Sequence, residues 1–342
     1  MKIVTQAMVA QAAGVSKATV SFALRQHPSI PNRTCERIAR IAENLGYRPD
    51  PEISRLMAHV RRGDRRVVKA SLGFINSFAM RQPWTKFIQV KRIVEGVSNA
   101  AELLGYSIDH QWIGDPEFSP RRIEQILISR GINGVLLLGT SEPIKTFPMD
   151  ISRFSVATIG YSIGLQIHRA CPNQYRDTLT AMRNIRRLGY QRPGIVLNRN
   201  TDRRVERLFL AAYLIAQYDL EPENKIPPLV ADDLEPDDVV RWFEQYSPDV
   251  IIVQAPPVSD FRRWLEVAGH RVPEDVGVVS LDLSSQSGKV AGILQNHEAV
   301  GETATKLLIA QIQRSEQGLA EHPSTVLVNG SWVDGLTAPG PM

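Results

Sequence analysis

Val9-Ala10-Gln11-Ala12-Ala13-Gly14-Val15-Ser16-Lys17-Ala18-Thr19-Val20-Ser21 reads as two short helices joined by a glycine turn. Val9, Ala10 and Ala13 are small and apolar, which lets the helices approach closely. Gly14 supplies the left-handed turn residue that a β-carbon would penalise. Val15 and Val20 are expected between the helices, with Ser16 capping the second. Lys17, Ala18, Ser21 and Phe22 then point outward, where a DNA groove would lie. Helical hairpins of this size also arise from plain packing, so the next segment matters. Ile38, Ile41, Ala42 and Leu45 repeat at helical spacing, Pro31 suits an early first-turn position and Gly46 ends the run. A third helix makes a small head over residues 1–48.

The charge of the 342-residue chain is uneven. The net value is +4, yet residues 1–70 hold thirteen Lys/Arg against five acids, leaving the remainder mildly acidic. A basic head on an acidic body is the electrostatic footprint of a nucleic-acid module joined to a separate domain. Apolar content of 43% with 22% charged residues indicates a folded body with a sizeable core. No run reaches the roughly 18 apolar residues of a membrane span, and no secretion signal opens the chain, so a cytoplasmic protein without a membrane partner is expected. Cys35 and Cys171 are the only cysteines; neither is read as a disulfide or metal ligand.

Residues 49–63 carry helix signals at both ends: Asp50 as cap, Pro51 and Glu52 in the first turn, Arg61 and Arg62 in the last, and Gly63 as stop. Ile53, Leu56, Met57 and Val60 form one apolar stripe, too little for a stable isolated helix. The segment 49–70 is therefore a hinge helix and linker that needs a partner. From Ser71 the texture alternates between strands and helices. Strands are expected at 72–75, 106–112, 134–138, 156–159, 194–197, near 229, at 250–253 and at 276–281. Helices are expected at 86–104, 121–130, 175–188 and 204–218. Such alternation predicts two doubly wound parallel sheets with ligands at the carboxyl ends of the strands; a single large α/β enzyme domain is the competing architecture.

Taken together, the segment from Ala10 to Ser21, Leu45-Gly46-Tyr47-x-Pro49, Leu188-Gly189-Tyr190, Val272-Pro273-Glu274-Asp275-Val276 and Leu281-Asp282 resemble the lactose-repressor/galactose-repressor (LacI/GalR) family of bacterial transcription regulators. The resemblance implies an all-α helix-turn-helix head plus hinge helix, joined to a periplasmic-binding-protein-like α/β core of two doubly wound parallel-sheet subdomains. The core occupies 71–342, with one subdomain at 71–168 plus 295–322 and the other at 169–294 plus 323–338. It also implies a homodimeric repressor on a near-palindromic double-stranded operator, controlled by a small carbohydrate-related effector in the cleft.

Residue by residue, Thr5, Ser16, Ser21 and Thr34 match phosphate-contacting positions, which set register without reading bases. Lys17, Ala18 and Phe22 match operator-choosing positions, and Leu56 matches a leucine wedged into the minor groove. Phe22 departs from the polar residue usual there; it cannot form arginine's bidentate guanine contact, though it can press on a thymine methyl. In the cleft, Arg207, Asp282 and Gln295 match polar effector contacts, and Asn76, Phe78, Trp84 and Tyr161 are candidates for its near wall. Gln254-Ala255-Pro256-Pro257 replaces the Asn-Asp pair usual in relatives, and the C-terminal stretch lacks the leucine heptads of a tetramerising helix.

An enzyme is the leading alternative class. No G-x-G-x-x-G follows a strand, and there is no P-loop, H-E-x-x-H or G-x-S-x-G elbow. The histidines are scattered, and no catalytic residue, metal or cofactor is expected. A free periplasmic sugar-binding protein would share the body but would carry a secretion signal in place of the basic head.

Overall fold

The computed structural model describes residues 6–24, 30–47, 70–140, 142–255, 257–283 and 288–340. Expectations concerning Thr5, the hinge segment 49–63 with Leu56, and the side chains of Ala18 and Ser21 lie outside the described residues. The chain divides into two compact units, Met1–Val68 and Lys69–Met342.

In the first unit, helix α1 (Gln6–Ala13) is followed by Gly14 at φ +65° and helix α2 (Lys17–Ala23). The Thr19 amide donates to Ser16 Oγ at 3.1 Å, so one of the orphan N–H groups of α2 is satisfied. Helix α3 (Asn32–Asn44) starts one residue later than the sequence reading placed it: Pro31 is the cap, and its carbonyl accepts from Thr34 and Cys35. Val9, Ala10, Ala13, Val20, Ala23, Cys35, Ile38 and Ala42 form the core; Val15 is only half-buried against it, and Leu45, past the end of α3, is exposed.

The second unit contains two six-stranded sheets. In chain order its elements are β1 (Ala70–Asn76), α4 (Ile88–Leu103), β2 (Tyr106–Trp112), α5 (Pro120–Ser129), β3 (Gly134–Leu138), β4 (Ser155–Ile159), β5 (His168–Pro172), α6 (Gln174–Arg187), β6 (Pro193–Asn198), α7 (Arg199–Arg204) and α8 (Leu208–Tyr218). They continue with β7 (Leu229–Ala231), α9 (Pro236–Tyr246), β8 (Val250–Val253), α10 (Val258–Val267), β9 (Gly277–Ser280), β10 (Ala291–Leu294), α11 (His297–Arg314), β11 (Thr325–Val328) and β12 (Ser331–Val333).

The first sheet runs β11-β5-β4-β3-β1-β2 and is parallel throughout. The second runs β12-β10-β9-β8-β6-β7 and is parallel except for the edge strand β12. Helices cover both faces, which explains the unbroken apolar strands. Leu136 and Leu138 of β3 enter one core cluster and Val135 and Leu137 the opposite one; Ile195 and Leu197 of β6 likewise alternate with Val196. Helices α4 and α11 pack together beside the first sheet.

Two details differ from the sequence reading. Strand pairing carries the first subdomain beyond the expected edges at 168 and 322. His168–Pro172 pairs with β4, and Thr325–Val328 pairs with β5, so both belong to the first sheet. The chain thus crosses between sheets at Asn173, at Gln295–Asn296 and at Asn329–Gly330. The helix expected over 204–218 is broken as well. Glu206 and Arg207 adopt left-handed φ values of 57° and 60°, separating α7 from α8. The buried Asp202 explains the break: its carboxylate accepts from the Leu210 amide, and its carbonyl accepts from the Arg207 amide at 2.7 Å. A side chain from the preceding helix therefore caps α8 and draws the chain into an elbow.

Candidate nucleic-acid interface and ligand cleft

On the head, Lys17 is exposed at the first position of α2, and Phe22 is 38% exposed farther along the same helix. Ser16 is exposed, but its hydroxyl is already engaged with Thr19 Oγ1 at 2.9 Å. Thr34 is half-buried in the first turn of α3. Arg33, Arg37 and Arg40 are exposed on α3 and add positive charge that the motif reading had not singled out. A cationic surface of this kind suits phosphate contact, whereas an aromatic side chain on the reading helix suits the apolar face of a base.

In the body, the loops after the carboxyl ends of both sets of strands hold the cleft candidates. Arg207 sits on the left-handed elbow between α7 and α8, a conformation that costs roughly 1–2 kcal/mol for a residue with a β-carbon. It is exposed, and its guanidinium makes no hydrogen bond or ion pair to another described residue; Asp202 is the acid that feels its charge. Backbone strain held by surrounding structure is a recurrent feature of ligand clamps.

Other candidates are already occupied. The Asn76 amide accepts from the Phe78 N–H at 2.9 Å and donates to the carbonyls of Met80 and Arg81 at 2.8 and 3.1 Å. With 2% exposure it shapes the loop after β1 from within and does not line a wall. The Phe78 carbonyl accepts from Trp112, and its ring lies 5.9 Å from that of Phe87. Trp84 packs 5.6 Å from the His110 ring, and both Phe78 and Trp84 rest on the first-sheet core. Gln295 is buried and donates to the Leu281 carbonyl at 2.7 Å, which fixes the loop after β9. Asp282, on that loop, accepts from His297 Nε2 at 2.9 Å and from Gln89 Nε2 at 3.2 Å.

Tyr161 follows β4 of the first sheet yet packs on the core of the second subdomain. Its hydroxyl meets the Cys171 thiol, and burial pushes both groups up, the thiol to about 12. Glu206, on the elbow, is among the charges that reach both of these groups. Half-buried Arg204 faces Glu142 from the opposite subdomain. Sequence reasoning missed Gln89, His297, Arg204 and Glu142, because none belongs to a local pattern; only the topology brings them to one cleft. Among the described residues no group of three His, Cys, Asp or Glu side chains could hold a metal ion, and no helix is long and apolar enough to cross a membrane.

Comparison with known proteins agrees with this division of the chain. Residues 8–50 match the family described as bacterial regulatory proteins, lacI family, and residues 182–337 match the periplasmic binding protein-like domain. A curated relative, the HTH-type transcriptional regulator PtxS of Pseudomonas plecoglossicida, is 36% identical over 106 residues; the match covers 31% of this chain and only 27% of that protein. Among solved structures, the lac repressor dimer bound to operator and the anti-inducer ONPF is similar over 99% of this chain and 100% of its own, with a TM-score of 0.57 at 18% identity. The transcriptional regulator CelR–cellobiose complex aligns over 98% and 99% of the two chains, with a TM-score of 0.55 at 18% identity. The regulator CCPA from Weissella paramesenteroides with bound glucose aligns with 79% of this chain and 98% of its own, with a TM-score of 0.55 at 14% identity. At such identities the structures establish the fold: a helix-turn-helix head and a two-sheet body. The chain thus joins a lacI-family helix-turn-helix domain of the bacterial regulatory proteins to a periplasmic-binding-protein-like body.

Proposed function

We propose that this protein is a cytoplasmic, homodimeric repressor that binds a near-palindromic DNA operator and responds to a small carbohydrate-related effector held between the two body subdomains. The observation that carries this reading is Arg207: an unpaired guanidinium held on a strained elbow beside the cleft, in a chain that also carries a DNA-reading head. A guanidinium offers several donors in a fixed fork, suited to hydroxyls or a carboxylate. The solved relatives with cellobiose and glucose bound support a sugar or sugar derivative as the class. Self-association is supported by a surface groove of about 1000 Å³ between α9 and α10, where Val240, Trp264 and Val267 lie among Asp237, Asp260, Arg241 and Arg263. Acids and arginines mixed on one apolar surface can complement themselves across a two-fold axis.

The test has two arms. An operator selected from random duplexes should contain two related half-sites, and its affinity should fall with salt at a log–log slope of about −0.9 per neutralised phosphate. Carbohydrates and sugar acids are then screened by thermal shift; Arg207→Ala should weaken binding of the best ligand by about 10- to 100-fold, the worth of a charged hydrogen-bonding partner. Unchanged ligand affinity would move the effector site away from the elbow. Leu56 is assigned the minor-groove wedge at the operator centre. Leu56→Ala should accordingly weaken specific binding far more than binding to random duplex; an equal loss on both would remove the wedge.

A further inference from the structure

The three crossovers between the sheets lie side by side and are tied together. Asn173 Nδ2 donates to Asn329 Oδ1 at 2.9 Å, Asn296 Nδ2 donates to the Asn329 carbonyl at 2.8 Å, and the Asn173 amide donates to the Val328 carbonyl at 2.8 Å. The next residue, Gly330, admits no side chain: a β-carbon would lie 2.6 Å from Ile293 and 2.9 Å from both the Leu294 carbonyl and Asp177 Oδ1. Its amide donates to that same Asp177 oxygen at 2.7 Å. Asp177, in the first turn of α6, is therefore built into the pivot of the body.

Its other oxygen, Oδ2, is buried with no hydrogen-bond partner among the described residues, and the residue is 1% exposed. Burial pushes the carboxyl up to about 7; Asp282 acts in the same direction, while the Gly330 amide and His297 oppose it. Asp282 belongs to the second subdomain, following β9, but both its oxygens are held from the first, by His297 at the start of α11 and Gln89 on α4. The second nitrogen of His297, Nδ1, is buried and unpartnered. One imidazole therefore pairs with Asp282 and lies within electrostatic reach of Asp177. The other elements against α6 bring no balancing charge: α8, β10 and β12 contain no charged side chains, and Asp334 beyond β12 pairs with Arg187 at the far end of α6.

We propose that a proton on Asp177 holds the subdomains in the arrangement described here, and that its loss favours opening, so that closure of the cleft is linked to pH. Ionised Asp177 would be a buried anion within electrostatic reach of the half-buried Asp282, whose imidazole partner it does not contact, and opening hydrates it. The sign follows from linkage. An ordinary aspartyl group titrates near 3.9, so between about 4 and about 7 the closed form binds more protons than an open form with a hydrated Asp177. Raising pH through that window therefore weakens closure. The device concerns the body alone and stands whatever ligand the cleft accepts.

The experiment uses the full chain with Glu117→Cys and Asp233→Cys carrying spin labels. Both positions are exposed, in the loops after β2 and β7, the edge strands of the two sheets farthest from the crossovers; the native Cys35 and Cys171 are buried and spared. Double electron–electron resonance distances should lengthen between about pH 5 and about pH 8. Asp177→Asn keeps an acceptor for the Gly330 amide and should remain at the short distance throughout. Asp282→Asn removes the neighbouring anion and so narrows the gap between the closed-form and open-form titrations; the lengthening with pH should be smaller than in wild type, which keeps the idea testable if Asp177→Asn folds poorly. A wild-type distance that is unchanged or shortens with pH overturns the proposal, as does an Asp177→Asn profile matching wild type or an Asp282→Asn lengthening as large as that of wild type.

Discussion

Ile38→Asp is expected to abolish operator binding while leaving the thermal transition of the body in place. Among the described residues of the head, eight apolar side chains are buried; four are alanines, and Ile38 is the largest, with no exposed surface. Removing its side chain from the core forfeits about 2–3 kcal/mol of burial. The aspartate adds the penalty of an unpaired buried charge, several kcal/mol more. A domain of this size has little stability to spare, commonly about 5 kcal/mol or less. The head should therefore unfold, while the body, a separate compact unit with its own cores, retains its melting transition and ligand response. Calorimetry together with gel-shift titration checks this; operator affinity within tenfold of wild type would contradict it.

Gly301→Val should produce the largest loss of stability from a single site in the body. A β-carbon at Gly301 would lie 2.2 Å from the Ile93 carbonyl oxygen, and one at Gly96 would lie 2.0 Å from that of Glu298. Helices α4 and α11 therefore touch backbone to backbone at two reciprocal points, each vacated by a glycine. The obstructing atoms are main-chain, so no rotamer change relieves the clash; one helix must move away from the other. Overpacking of this kind costs about 3 kcal/mol or more, which for a unit of this size lowers the melting temperature by ~10 °C. Gln89 on α4 and His297 on α11 jointly hold Asp282, so the ligand response should suffer with the fold. A melting temperature within ~2 °C of wild type would show that the helices are less constrained than their contact implies.

Much of the architecture was legible because the decisive signals are local. β3 and β8 have the bounds that their apolar runs announced, β2 has the bounds expected for it, and Gly14 and Ser16 perform the turn and cap that their chemistry suggests. The elbow at Glu206–Arg207 was not legible, since the sequence there favours continuous helix and the break depends on where Asp202 directs its side chain. Asn76 illustrates a different limit: a polar residue at a strand's carboxyl end suggests a ligand contact, but its amide is consumed by its own loop. Asp177, Gln89 and His297 are far apart in sequence and meet through the crossovers, a juxtaposition that periodicity cannot reveal.

Those crossovers also bear on how the body is made. β11 completes the edge of the first sheet and β12 the edge of the second, and they occupy residues 325–328 and 331–333 of a 342-residue chain. On the ribosome, then, neither subdomain can finish assembling ahead of the other. Both sheets lack an edge strand until residues 325–333 have emerged, and two neighbouring strands then complete them in quick succession. The nascent body must carry two unfinished sheets through most of its synthesis, the stage at which open strand edges invite misassembly.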